Sequence, residues 1–117
     1  MLESHLRKSV DEYADIIERI ERLEIAEEEL ISKLKVKIRL FDATILYVRE
    51  VWINDKIESY SYYWLRPDET LIMGWDNAPH HRGINSFPHH KHIEDKLESS
   101  HERNLGDVLR FIKDFLG

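Results

Sequence analysis

The sequence predicts an α+β fold with an N-terminal helix, a four-stranded antiparallel meander, a histidine-rich loop and a C-terminal helix. Apolar residues first recur every three or four positions, which is typical of an amphipathic helix. From Leu34 the apolar period changes to two, which indicates a half-buried strand. Helical spacing returns after Asn104, and a chain of 117 residues has room for one domain, assigned to residues 1–117.

The N-terminal segment is predicted to be an acidic amphipathic helix over residues 1–30. Its clearest part covers residues 2–23, and a break is expected within residues 24–31, where the apolar pattern begins to alternate. The apolar stripe comprises Leu2, Leu6, Val10, Tyr13, Ile17 and Ile20. Such a stripe predicts packing on a sheet, and docking to a partner chain is the alternative.

The sheet is predicted over residues 33–76, because four segments there have the composition of strands joined by short turns. They are assigned to residues 34–40, 45–53, 57–66 and 70–76. Along the first strand, apolar side chains alternate with the cations Lys33, Lys35, Lys37 and Arg39. This row is interpreted as a solvated strand face or as a stripe that follows phosphates. Aromatic residues of the third and fourth strands indicate core packing, with base stacking as the alternative.

Residues 77–103 are predicted to form a histidine-rich loop, and residues 104–116 a helix that begins at the N-cap Asn104. Five of the seven histidines lie within thirteen residues of this loop, namely His80, His81, His89, His90 and His92. In an extended backbone His90 and His92 point to one side, whereas His89 and Lys91 point to the other. Two imidazoles are therefore expected to converge on one spot.

Composition and charge narrow the functional classes. The absence of cysteine excludes disulfides and thiolate metal sites. No segment has the pattern of a membrane span or a signal peptide, so a cytoplasmic location is expected. The net charge is −6 at pH 7, but residues 1–30 hold ten acidic and four basic side chains, which leaves the remainder neutral. This balance disfavours tight non-specific binding to a phosphate backbone and leaves a local anion-binding face open.

The histidine cluster predicts, as a first interpretation, metal-independent RNA cleavage. Attack of a 2′-hydroxyl on the adjacent phosphate needs a base, an acid and cations for the phosphate charge. The five clustered histidines would be the acid–base pool, and Asp76 and Asn77, at the end of the fourth strand, would orient them. The candidate substrate contacts are Arg82, Lys91, Lys35, Lys37, Arg39, Glu50 and Tyr62.

Two other interpretations stay open. A metal-dependent hydrolase is the second, in which zinc or manganese is bound by Asp76, His81, His90 and His92. The third is a non-catalytic binding module, in which the histidines are structural and the acidic helix and basic strand are docking surfaces. The sequence leaves the oligomeric state open, with a homo-oligomer among the candidates.

Two blocks of the sequence carry a resemblance to a known family. The segments Trp75–His81 and Phe87–His92 resemble the signature of the TumE-type toxins of type II toxin–antitoxin modules. The similarity extends from residue 33 to residue 112, and includes Glu50, Tyr60–Trp64 and Leu105–Leu109. At the position of Tyr63 the family often has histidine.

The resemblance implies a small cytoplasmic toxin that a cognate DNA-binding antitoxin binds and neutralises. It also implies inhibition of translation, commonly by an endoribonuclease of the mRNA-interferase type, with RNA as the substrate. No cofactor is expected under the first interpretation, and a divalent metal ion is expected under the second. The order of helix, sheet and helix is loosely similar to the RelE/ParE-like toxin folds.

Overall fold

The computed structural model describes residues 2–79, 86–94 and 96–117. Two helices and seven strands follow one another along the chain. The helices are α1 (Leu2–Glu12) and α2 (Leu105–Leu116). The strands are β1 (Ile17–Glu27), β2 (Ile31–Leu40), β3 (Ile45–Ile53), β4 (Lys56–Leu65), β5 (Leu71–Asp76), β6 (His90–Ile93) and β7 (Lys96–Ser99).

All seven strands form one antiparallel sheet in the order of the sequence, from β1 to β7. The predicted four-stranded meander is therefore wrong, since it corresponds to β2–β5 and lacks one strand at one edge and two at the other. The expected likeness to RelE/ParE-like toxin folds is not supported by this architecture. The C-terminal helix begins after Asn104, as predicted, and the Asn104 side chain forms a capping box with Asp107.

The N-terminal helix is much shorter than predicted, because residues 17–27 form β1. Two register irregularities, after Ile17 and after Ile20, insert extra residues into this strand. As a result Ile17, Ile20 and Leu23 are three residues apart, yet each pairs with a buried residue of β2. The partners are Leu40, Ile38 and Val36. The bulges therefore give the apolar residues of β1 a spacing of three, which is also typical of a helix.

The predicted loop over residues 77–103 is also wrong in part, because it contains β6 and β7. Each of these strands has four residues, and their sequences are mostly polar. A strand this short has too few positions for a clear alternation, so its sequence resembles that of a loop. Strand β6 forms because it pairs with the end of β5, where Asp76 lies in register with His90.

Both helices pack on one face of the sheet. The core contains Leu6 of α1 and Leu109 of α2, together with alternate residues of the central strands such as Val36, Val48 and Tyr62. We call this the helix side, and the opposite surface the open face. In the part of the chain that the structure describes, neither helix is long and apolar enough to cross a membrane.

Candidate functional site

The register of the sheet aligns polar residues across the open face. Lys35 of β2 pairs with Arg49 of β3, and Arg49 pairs with Ser61 of β4. Ser61 pairs in turn with Asp76 of β5, which pairs with His90 of β6. Because paired residues point to the same face of a sheet, residues far apart in sequence become neighbours.

The row ends at a compact group that we call the site centre, formed by Asp76, His90 and His92. The Asp76 carboxylate lies 2.6 Å from His90 Nε2 through Oδ1 and 3.1 Å from His92 Nε2 through Oδ2. The backbone N–H of Ala78 also donates to Oδ1, at 3.0 Å, and the Tyr63 hydroxyl donates to Oδ2, at 2.7 Å. One carboxylate, which is 4% exposed, therefore holds both imidazoles.

His90 is fixed at both ring nitrogens. Its Nδ1 lies 3.0 Å from the Pro88 carbonyl oxygen, which can only accept, so Nδ1 carries a proton. Its Nε2 faces the Asp76 carboxylate, and His90 is only 2% exposed. Because both ring nitrogens face a protein oxygen and the side chain is buried, His90 is poorly placed to contact a substrate.

His92 is the accessible histidine of the centre, with a side chain that is 27% exposed. Its ring lies beside that of Tyr63, with centroids 6.2 Å apart. Burial, together with the hydrogen bond to Asp76, raises the pKa of Tyr63 above its usual range, so the phenol stays protonated and keeps donating to the carboxylate. A Cβ at Gly74 would lie 2.0 Å from the Tyr63 ring, so glycine is needed for this packing.

A cleft of about 480 Å³ opens beside the centre, and we call it the site cleft. Asp76, His90 and His92 line it on one side, and Arg49 and Ser61 on the other. Arg49 is exposed, and among the described residues its guanidinium forms neither a hydrogen bond nor an ion pair. The cleft thus combines an oriented histidine with an available guanidinium, which suits an anionic substrate.

The sheet separates the predicted acid–base pool. His89 and Lys91 lie on the helix side, where His89 stacks on Tyr60 and its Nδ1 lies 2.9 Å from the Tyr60 hydroxyl. Burial raises the pKa of Tyr60 to about 12, so this hydroxyl is neutral. The Lys91 ammonium lies 4.0 Å from the Glu98 carboxylate on the neighbouring strand. These two side chains do not join the site centre.

Glu50 and Tyr62, predicted to contact substrate, belong to the core on the helix side. The Tyr62 hydroxyl and Trp52 Nε1 donate to the Glu50 carboxylate, at 2.6 Å and 2.9 Å. Burial, with a smaller contribution from that carboxylate, raises the pKa of Tyr62 above its usual range and keeps it a donor. The structure therefore places the pair in a buried network away from the site cleft, with Glu50 only 1% exposed.

The predicted cations of β2 do lie on the open face, but they differ in availability. Arg39 and Lys37 lie 3.0 Å and 3.7 Å from the Glu21 carboxylate of β1. The hydrogen bond from Arg39 lowers the pKa of Glu21, which keeps that carboxylate charged. Lys35 is exposed and lies next to Arg49 in the polar row.

The remaining predicted residues follow the fourth predicted strand. The Asn77 side chain accepts from the Tyr60 backbone N–H and donates to the Glu58 carbonyl, so it ties the end of β5 to β4. The histidines His80 and His81, and the candidate phosphate contact Arg82, lie outside the described residues.

Sequence reasoning missed Arg49, Ser61 and Tyr63 as site residues. A signal was present, since alternation along strands 45–53 and 57–66 puts all three on the face opposite to the buried aromatic residues. Using it would have required the pairing of the strands, because only the register sets Ser61 beside Asp76.

Comparisons with known proteins give one match. The model of a protein family described as Toxin TumE matches residues 6–116, which is nearly the whole chain. No curated protein and no solved structure matches the chain.

Proposed function

Because the chain belongs to the TumE toxin family, we propose that it inhibits translation by cleaving RNA in the site cleft. Membership makes it the toxin component of a toxin–antitoxin system, whose cognate antitoxin is its partner. One observation carries the proposed chemistry, namely that His92, oriented by Asp76, lines the same cleft as the exposed Arg49. Acting on translated RNA, the toxin would work in the cytoplasm.

The proposed reaction forms a bond between the 2′-oxygen and the adjacent phosphorus and breaks the bond to the 5′-oxygen. His92 takes the proton of the 2′-hydroxyl, and the Asp76 carboxylate stabilises the resulting imidazolium. Arg49 binds the phosphate oxygens, where negative charge increases in the transition state. His80 and His81 are proposed, on sequence alone, to return a proton to the leaving 5′-oxygen. The products carry a 2′,3′-cyclic phosphate and a 5′-hydroxyl.

Incubation of the purified protein with single-stranded RNA tests this proposal. We expect fragments with 2′,3′-cyclic phosphate ends, and no cleavage where a 2′-deoxynucleotide replaces the nucleotide 5′ of the cut. Arg49→Ala should slow cleavage about 100-fold, because one donor to the transition-state charge is lost. Arg110→Ala removes an exposed arginine of α2 and should leave the rate unchanged. A protein that is toxic on expression but leaves every RNA intact would refute the nuclease proposal.

A metal-dependent hydrolase is the second candidate, favoured by the geometry of the site centre. Ligand atoms of Asp76, His90 and His92 all lie within 4.8 Å of one another. The Pro88 carbonyl holds His90 Nδ1–H, which leaves Nε2 to face the carboxylate, as in histidines that ligate metals. Zinc bonds of 2.0–2.1 Å keep tetrahedral ligand atoms about 3.3 Å apart, so small side-chain movements would admit an ion among these three side chains.

Elemental analysis of protein purified without a metal-binding tag separates the two candidates. Under the second candidate we expect about one zinc or manganese ion per chain, its loss in His92→Ala, and loss of RNA cleavage in EDTA. The fragments would then carry ends produced by attack of water, and a 2′-deoxynucleotide would be cleaved. Full activity in EDTA with cyclic phosphate ends would eliminate this candidate.

A further inference from the structure

We propose that a second cleft on the open face binds the base of an unpaired nucleotide next to the scissile phosphate. This cleft, which we call the base cleft, has a volume of about 600 Å³. Its walls include the side chains Tyr47, Tyr63, Leu65 and Leu71. The inference rests on the proposed RNA cleavage and adds to it the position and strand state of the substrate.

The base cleft is built from paired residues of three adjacent strands. Tyr47 of β3 pairs with Tyr63 of β4, and Leu65 of β4 pairs with Leu71 of β5. Two aromatic and two aliphatic side chains therefore lie side by side on the open face, where they are only partly buried. An exposed aromatic and aliphatic surface of this kind is suited to the flat face of a nucleobase.

Hydrogen bonds hold both tyrosines in place. The Tyr47 hydroxyl donates to Glu69 at 3.0 Å, and the Tyr63 hydroxyl donates to Asp76 at 2.7 Å. The Lys37 ammonium lies 5.5 Å from the centre of the Tyr47 ring. Rings that are fixed before binding lose little conformational freedom when a base stacks on them.

The position of the base cleft selects a nucleotide as the occupant. Arg49, Ser61, Tyr63 and His92 line both this cleft and the site cleft, so the two are continuous. A phosphate bound by Arg49 beside His92 would leave the attached nucleotide within reach of Tyr47. Because a base in a duplex is stacked on both faces and paired at its Watson–Crick edge, the occupant is a single-stranded segment.

Fluorescence anisotropy with labelled, non-cleavable 2′-O-methyl pentanucleotides tests the proposal. We expect Tyr47→Ala to raise the Kd about 10-fold, because stacking on one aromatic ring is lost. Phe115→Ala, which removes an exposed aromatic ring on the helix side, should leave the Kd unchanged. In a series of pentanucleotides that each lack one base, we expect one to have a raised Kd for the unmodified protein. The same missing base should not raise the Kd of Tyr47→Ala further.

The outcomes distinguish this inference from the proposed function. If RNA is cleaved but Tyr47→Ala binds like the unmodified protein, the base cleft is refuted and the nuclease proposal stands. If one abasic position weakens binding to the unmodified protein but not to Tyr47→Ala, while no RNA is cleaved, the base cleft is supported and the nuclease proposal fails. Equal affinity for a duplex and a single strand would overturn the inference. A folding defect is excluded by comparing the thermal unfolding of both variants.

Discussion

Asp76→Asn is expected to reduce RNA cleavage about 1,000-fold and to abolish toxicity on expression. The carboxylate contacts four groups, and the three side chains among them are Tyr63, His90 and His92. Asparagine has one acceptor oxygen and one NH2 group, so a donor would face the donors that Asp76 now accepts from. His92 would then lose both its orientation and the negative charge that stabilises its protonated form.

The cleavage rate of Asp76→Asn should be compared with that of Asp68→Asn. Asp68 is an exposed turn residue whose side chain accepts from Thr70, a role that asparagine also fills. We expect Asp68→Asn to retain full toxicity and rate. Circular dichroism and thermal unfolding of both variants exclude loss of fold as the cause. If Asp76→Asn remained as toxic as the unmodified protein, the site centre would have no part in the activity.

The fold could be predicted where local pattern and tertiary environment agree. Strand β3 has the predicted bounds Ile45–Ile53, and α2 begins at its predicted cap, Asn104. Residues 17–27 could not be predicted, because bulges gave the apolar residues a helical spacing that only pairing with β2 explains. The short β6 likewise depends on the edge that β5 presents, and β7 on the edge of β6, which no local pattern reveals.

The candidate site could be located from sequence only in part. The alternation of residues 89–92 places His90 and His92 together, and Asp76 at a strand end is a favourable position for a functional side chain. What the density of histidines could not reveal is that the sheet divides them. His89 is adjacent to His90 in sequence, yet it stacks on Tyr60 on the other side. The face of the sheet on which a side chain lies, and not its position along the chain, decides which side chains can act together.

The same division places Glu50, predicted to contact substrate, in the core on the helix side. Its carboxylate accepts from Tyr62 and from Trp52. Trp52 lies two residues away on the same face of β3, whereas Tyr62 is connected to Glu50 only when β3 and β4 are paired. The hydrogen-bond network of Glu50 is therefore expected to stabilise the fold on the helix side and not to take part in RNA cleavage.

Glu50→Leu is expected to lower the free energy of unfolding by about 3 kcal/mol, since it leaves the buried Tyr62 hydroxyl and the partly buried Trp52 Nε1 without their acceptor. For a chain of this length this corresponds to a fall in Tm of about 12 °C. Equilibrium denaturation with urea measures the free energy directly. At a temperature where both proteins are folded, the cleavage rate per folded molecule should be unchanged, because Glu50 does not line the site cleft.

A double variant with Tyr62→Phe provides the matched test of that account. Removing the hydroxyl together with its acceptor leaves fewer unsatisfied groups, so Glu50→Leu with Tyr62→Phe should be more stable than Glu50→Leu alone. Tyr62→Phe by itself should lower stability, because it removes the 2.6 Å hydrogen bond to a buried carboxylate. Strictly additive losses in the double variant would show that the two groups are not coupled. A fall in cleavage rate at unchanged stability would return Glu50 and Tyr62 to the substrate site.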